Sequence, residues 1–161
     1  MEKWHDFFVG ELGAAAGFAG LLFVSLSVNV ARIVKIGGLA ERGSQALTSL
    51  FLVFAVSTLA LAPERDPRAF GVETLIASLL QIVLQTRSQI IAQRLTEKTY
   101  RRSLLVIASI SQVGSALFLI GSVDMIVYND WAGLQYFVGG TLLAFTVAAI
   151  LAWVLLIEIH R

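Results

Sequence analysis

The sequence predicts an all-α fold: a polytopic bundle of five transmembrane helices making one integral membrane domain over residues 1–161. Three observations carry this. Of the 161 residues, 57% are hydrophobic and only 14% charged, and the mean hydropathy is +0.81, whereas soluble domains carry about 25% charged and about 45–50% apolar residues. The apolar residues fall into five runs, each long enough for a hydrocarbon core about 30 Å thick, which takes about 20 helical residues. The charged residues collect between the runs. Disorder is excluded by the same numbers, since a disordered chain is poor in aliphatic residues. With no cysteine there is no disulfide framework, thiolate metal site or cysteine nucleophile. A net charge of +1 supplies no basic face, so nucleic acid is not an expected partner; the lipid bilayer is.

The first span is expected over about 7–33, interrupted by Glu11 and closing on Asn29 and Arg32. Its start, Glu2-Lys3-Trp4-His5-Asp6, is not basic, and its apolar stretch exceeds the roughly 7–15 residues of a signal peptide, so a retained helix is expected. Residues 36–43, with Gly37-Gly38, Glu41 and Arg42, read as a loop. The second span, 44–62, stops at Pro63, whose ring cannot continue a helical ladder. Glu64-Arg65-Asp66-Pro67-Arg68 is a charged turn. The third span, 69–91, is interrupted by Glu73, Gln81, Gln85 and Arg87; if it only dips into the membrane, the chain has four spans. A basic loop over 94–102 precedes the fourth span, 103–128, and the turn at Asn129-Asp130 leads to the fifth, 131–159.

With five spans, Lys3, Arg65 and Arg68 fall on one side. Arg32, Lys35, Arg42, Arg87, Arg94, Lys98, Arg101, Arg102 and Arg161 fall on the other. Positive loops stay cytoplasmic, which predicts the N-terminus outside and the C-terminus in the cytoplasm. Trp4, Phe7, Phe8, Tyr128, Trp131 and Tyr136 cluster at the predicted outer boundary, where such rings settle at headgroup level.

Lipid gives helices no hydrophobic reason to associate, so close packing rests on small residues at helical spacing. Gly13, Gly17 and Gly20, with Gly10, form one such strip in the first span; Gly140, Ala144, Ala148 and Ala152 form another in the fifth. Gly114 and Gly121 lie one heptad apart in the fourth. These strips serve packing within the chain or between subunits, and a homo-oligomer is expected.

Ionisable groups inside spans are costly and are first read as functional. Glu11, Glu73 and Asp124 lie near the outer boundary on the first, third and fourth spans, and would form a cation or proton site if those helices adjoin. A polar strip through Gln81 and Gln85, with Thr74 and Ser78 alongside, faces in principle a second strip of Gln112, Ser115 and Ser122, with Ser111 beside it. Together they would make a seam, either a conduction path or interhelical hydrogen bonding. At the inner end Glu158 is expected near Arg32 and Arg87 as an ion pair. Catalysis finds no support: His5 and His160 sit at opposite ends of the chain, and no metal-ligand spacing, phosphate loop or serine–histidine pair is present. No enzyme, metal or cofactor is expected.

Two stretches, Gly10-Glu-Leu-Gly-Ala-Ala-Ala-Gly-Phe-Ala-Gly-Leu-Leu-Phe-Val24 with its Ser-Val-Asn-Val-Ala-Arg exit, and Ala152-Trp-Val-Leu-Leu-Ile-Glu-Ile-His-Arg161, resemble the two ends of a family of small bacterial five-helix integral membrane proteins. Some members are described as modulators of FtsH protease. The resemblance implies a bacterial inner membrane, singles out Trp153 and Glu158 at the closing end, and carries over no catalytic or binding residue. Two functional expectations follow. One is a non-enzymatic interaction or regulatory module acting through its small-residue faces, on a second copy or another membrane protein. The other is an oligomeric cation or proton channel or transporter, with the three carboxylates as its outer site and the seam as its path.

Overall fold

The computed structural model describes residues 2–95 and 101–160, with side chains over 3–95 and 102–155. Helix α1 runs Glu2–Val28, a single turn α2 covers Val30–Ile33, and four long helices follow: α3 Leu39–Leu61, α4 Pro67–Leu95, α5 Arg101–Tyr128 and α6 Leu134–His160. Five of these are long and apolar enough to cross a membrane, the expected third span among them.

Local chemistry sets the boundaries. The expected single span to Ile33 breaks at Asn29, whose Nδ2 donates to Ser25 O at 2.9 Å and satisfies a carbonyl that the ending helix frees. The expected loop is shorter than residues 36–43, because Gly38 adopts φ 82° and α3 starts directly after it; a side chain at that φ would be strained. At the other end Asp66 caps α4: its Oδ2 accepts from the backbone N–H groups of Arg68 at 3.1 Å and Ala69 at 3.2 Å. Pro67 takes the first helical position, where its missing N–H costs nothing. Asn129, at φ 56°, closes α5.

Helix α3 packs against α1, α4 and α6, and α5 joins α4 to α6, so α3–α6 close a four-helix ring with α1 on its outside. In the most apolar 18-residue window, 50% of α3 is buried but only 17% of α1. The α1 contact is a narrow seam at steps of seven: Phe8, Ala15 and Leu22 are buried. Phe8 is therefore a core side chain and not a headgroup anchor, unlike Tyr128, which is 70% exposed. Two apolar layers fill the bundle. One holds Phe70, Phe118, Met125 and Phe137, with Phe118 and Phe137 ring centroids 5.0 Å apart. The other, toward the basic end, holds Leu39, Leu50, Val147, Ala148 and Leu151.

Helix α5 comes into close contact with the start of α6 at their glycines. A Cβ at Gly121 would lie 2.5 Å from Gly133 O and 2.7 Å from the Phe137 ring, and one at Gly140 would lie 2.7 Å from Phe118. Gly121→Val should therefore force the two backbones apart and cost about 1–3 kcal/mol, as overpacked cores do. Gly17→Val, with open space around its Cβ, should leave the midpoint unchanged. Thermal unfolding of both variants in mild detergent, followed by circular dichroism, checks the contrast.

Candidate functional site

The polar residues of α4 and α5 form a line of hydrogen bonds along the helix contact. At its centre is Gln85, 1% exposed. Its Oε1 accepts from Ser111 Oγ at 2.6 Å, with Ser115 Oγ at 3.5 Å. Its Nε2 donates to Ser49 Oγ of α3 at 2.6 Å, and Ser49 in turn donates to Gln45 O at 3.0 Å. Every bond in this relay points the same way, from α5 through α4 to α3. Ser49 lies near the midpoint of α3, far from both helix ends. Toward the Pro67 end, Thr74 and Ser122 hydroxyls meet at 2.8 Å, and Ser122 also reaches Phe118 O at 2.7 Å. Toward the basic end, Gln112 Nε2 donates to Gln89 Oε1 at 3.1 Å and to Thr86 Oγ1 at 3.0 Å. Gln81 is buried too, and its side chain lines the crevice between α3 and α4.

The expected seam is thus present, and most of its side chains bond one another, while Gln89 Nε2 is buried without a partner. Ser49, Gln45 and Gln89 belong to it but escaped the sequence reading. The signal was available for α3, where Gln45, Ser49 and Ser57 recur on one face; all three are buried.

The carboxylates are not brought together. Among the described residues no group of three His, Asp or Glu side chains is placed to hold a metal ion, so Glu11, Glu73 and Asp124 do not converge on a cation. Glu73 turns to the preceding loop, where Arg65 Nη1 contacts its two carboxylate oxygens at 2.7 and 2.9 Å. Glu11 is half-buried with Thr141 of α6 in hydrogen-bonding reach, while its Oε2 is sealed from solvent without a partner. Asp124 is half-buried on α5. For Glu11 the physical reason is the placement of α1 outside the ring, against α3, while Glu73 is drawn to Arg65 although its helix adjoins that of Asp124.

Of the expected inner ion pair, Glu158 lies outside the described side chains, and Arg32 and Arg87 are exposed. Trp153 is 64% exposed. The small-residue strips divide sharply. On α6, Gly140 and Ala148 are buried, and Ala144 and Ala152 are half-buried against the two apolar layers. On α1, Gly10, Gly13, Gly17 and Gly20 all point away from the bundle, with nothing within 4 Å of a Cβ built on any of them.

Chemically, the hub ties three helices together through Ser111, Gln85 and Ser49. Interhelical hydrogen bonds in membrane proteins average about 0.6 kcal/mol and reach about 1.7. A double-mutant cycle on Gln85→Leu and Ser111→Ala should return a coupling inside that range, measured from unfolding in detergent.

Against known proteins, no family model matches this chain, and neither the curated proteins nor the solved structures include a match.

Proposed function

We propose that this protein is a non-enzymatic membrane module that works by helix association, with α1 as its docking element. One observation carries the reading: Gly10, Gly13, Gly17 and Gly20 form an open strip on the side of α1 opposite its Phe8–Ala15–Leu22 seam. Glycines on a lipid-facing surface contribute nothing to the fold they sit on. Steps of three and four are the spacing at which two membrane helices bring their backbones into contact. The first partner is a second copy of the chain, and another membrane protein with a matching helix is the second. The concentration of cations at the α2 end supports a cytoplasmic position for that end and an outside N-terminus. The resemblance of the chain's two ends to small bacterial membrane proteins supports the bacterial inner membrane.

Conduction is supported less well. A path needs the seam to face water, and Gln85, Ser111, Ser115 and Ser122 are buried and bonded to neighbouring protein groups.

Gly13→Ile with Gly17→Ile should weaken self-association at least about tenfold, equivalent to about 1.4 kcal/mol, without moving the unfolding midpoint. Förster transfer between labelled copies in liposomes checks this; unchanged transfer removes the docking role from α1. On the same vesicles the protein should carry no cation or proton flux, and a flux that falls in Glu73→Gln would replace this reading with the channel.

A further inference from the structure

A groove of about 540 Å³ opens on the side of the bundle near α2, within the range of small-molecule sites. Val30 and Ile33 of α2 line it with Val34, which follows them, Leu47 and Phe51 of α3, and Leu84 of α4. Its polar atoms come from Ser44 and Thr48, and the Thr48 hydroxyl is spent on Ser44 O at 2.6 Å. Past Thr48, Phe51 and Leu84 the groove continues into the α3–α4 crevice, as far as Ala55 and Ala77. From Ser44 to Ala55 is about 16 Å along a helix at 1.5 Å per residue. That is close to the depth of one leaflet, about half of a 30 Å hydrocarbon core.

Charge distinguishes this groove from other lipid-facing surface. Arg32 and Lys35, both exposed, are the sequence neighbours of the lining residues Ile33 and Val34. Arg87 follows Leu84 by one turn of α4 and is exposed too, although it lies well inside a membrane-crossing helix. A cation there is costly unless it reaches an anion. Among the described residues the carboxylate of this region is Glu41, and no described ion pair engages Arg32, Lys35 or Arg87.

We infer that this groove seats one acyl chain of an anionic phospholipid, with Arg32, Lys35 and Arg87 meeting its phosphate. The chain lies from the α2 end, at headgroup level, toward the midpoint of α3. Apolar lining, single-leaflet length and exposed cations adjoining the lining residues in sequence each match a different part of that lipid. The site is separate from the glycine strip of α1 and does not depend on helix association.

The test offers the purified full-length protein, in mild detergent, equimolar phosphatidylglycerol and phosphatidylethanolamine with identical acyl chains, and counts retained lipids by native mass spectrometry. One phosphatidylglycerol per chain is expected, in at least about tenfold preference over phosphatidylethanolamine. Each neutralised cation should lower that preference about fivefold, in line with its attraction to an anionic surface, so Arg32→Gln with Lys35→Gln should nearly erase it. These are exposed positions, and the ratio is read within a single sample, so it stays interpretable if the amount of protein varies. Thr48→Trp, which fills the junction of groove and crevice, should abolish retention of both lipids. Gly17→Ile should leave retention intact even where it disperses oligomers. Equal retention of the two lipids, or a preference unmoved by the charge variants, overturns the proposal. So does Thr48→Trp retaining lipid, or dispersing the oligomer while the wild type holds none, which would give the groove to a second copy.

Discussion

A hydrogen-bonding group at the middle of a bilayer has no solvent to fall back on, and the arrangement of α3, α4 and α5 depends on that constraint. Gln85 brings two donors and a carbonyl oxygen into this layer, where an unmet polar group costs several kcal/mol. Its oxygen is met from α5 and its nitrogen donates to α3, which fixes both the rotation of α4 about its axis and its height against two neighbours. Apolar side chains above and below pack against many surfaces equally well; a glutamine held between two serines tolerates little sliding. The modest energy of each bond matters less than this selection of register.

Glycine is used in two opposed ways by the same chain. Between α5 and α6 it removes side chains where Gly133 and Phe137 press against Gly121. On α1 it leaves a trough that the bundle never enters. The energetic logic is unequal. In the first case a methyl group has no room, while in the second it meets open space, so the fold exerts no pressure to keep the strip bare. The proposed lipid groove adds a third kind of surface, an apolar lining with exposed cations adjoining it in sequence.

Much of this was legible from sequence. Five spans follow from length and hydropathy, because the bilayer imposes one length on every crossing helix. The α4–α5 seam follows from residues recurring at steps of three and four. Asn29 was legible as a helix-end hydrogen bonder; that the helix stops there and Val30–Ile33 form a separate turn was not, because apolar residues continue past it. Leu39–Gly43 read as loop because Gly37-Gly38 and the charged Glu41-Arg42 pair suggest one, yet Gly38 alone makes the turn. The convergence of Glu11, Glu73 and Asp124 failed for a different reason. Counting along helices gives positions within each helix, but which side chains meet is a property of the assembled ring. For the same reason two strips of small residues that look alike in sequence have opposite surroundings.

The direction of the hydrogen-bond relay bears on how the chain enters the membrane. Ser111 and Ser115, Gln85, Ser49 and Gln45 all precede α6 in synthesis, as do Thr74 with Ser122 and Gln112 with Gln89. Once α5 has left the insertion machinery, each of these groups already has its partner in the hydrocarbon. Helix α6, the most apolar of the spans at a hydropathy of 2.2, then arrives owing this network nothing but packing. The costly polar assembly is finished while the ring is still open, and closure is left to the segment that lipid tolerates best while it waits.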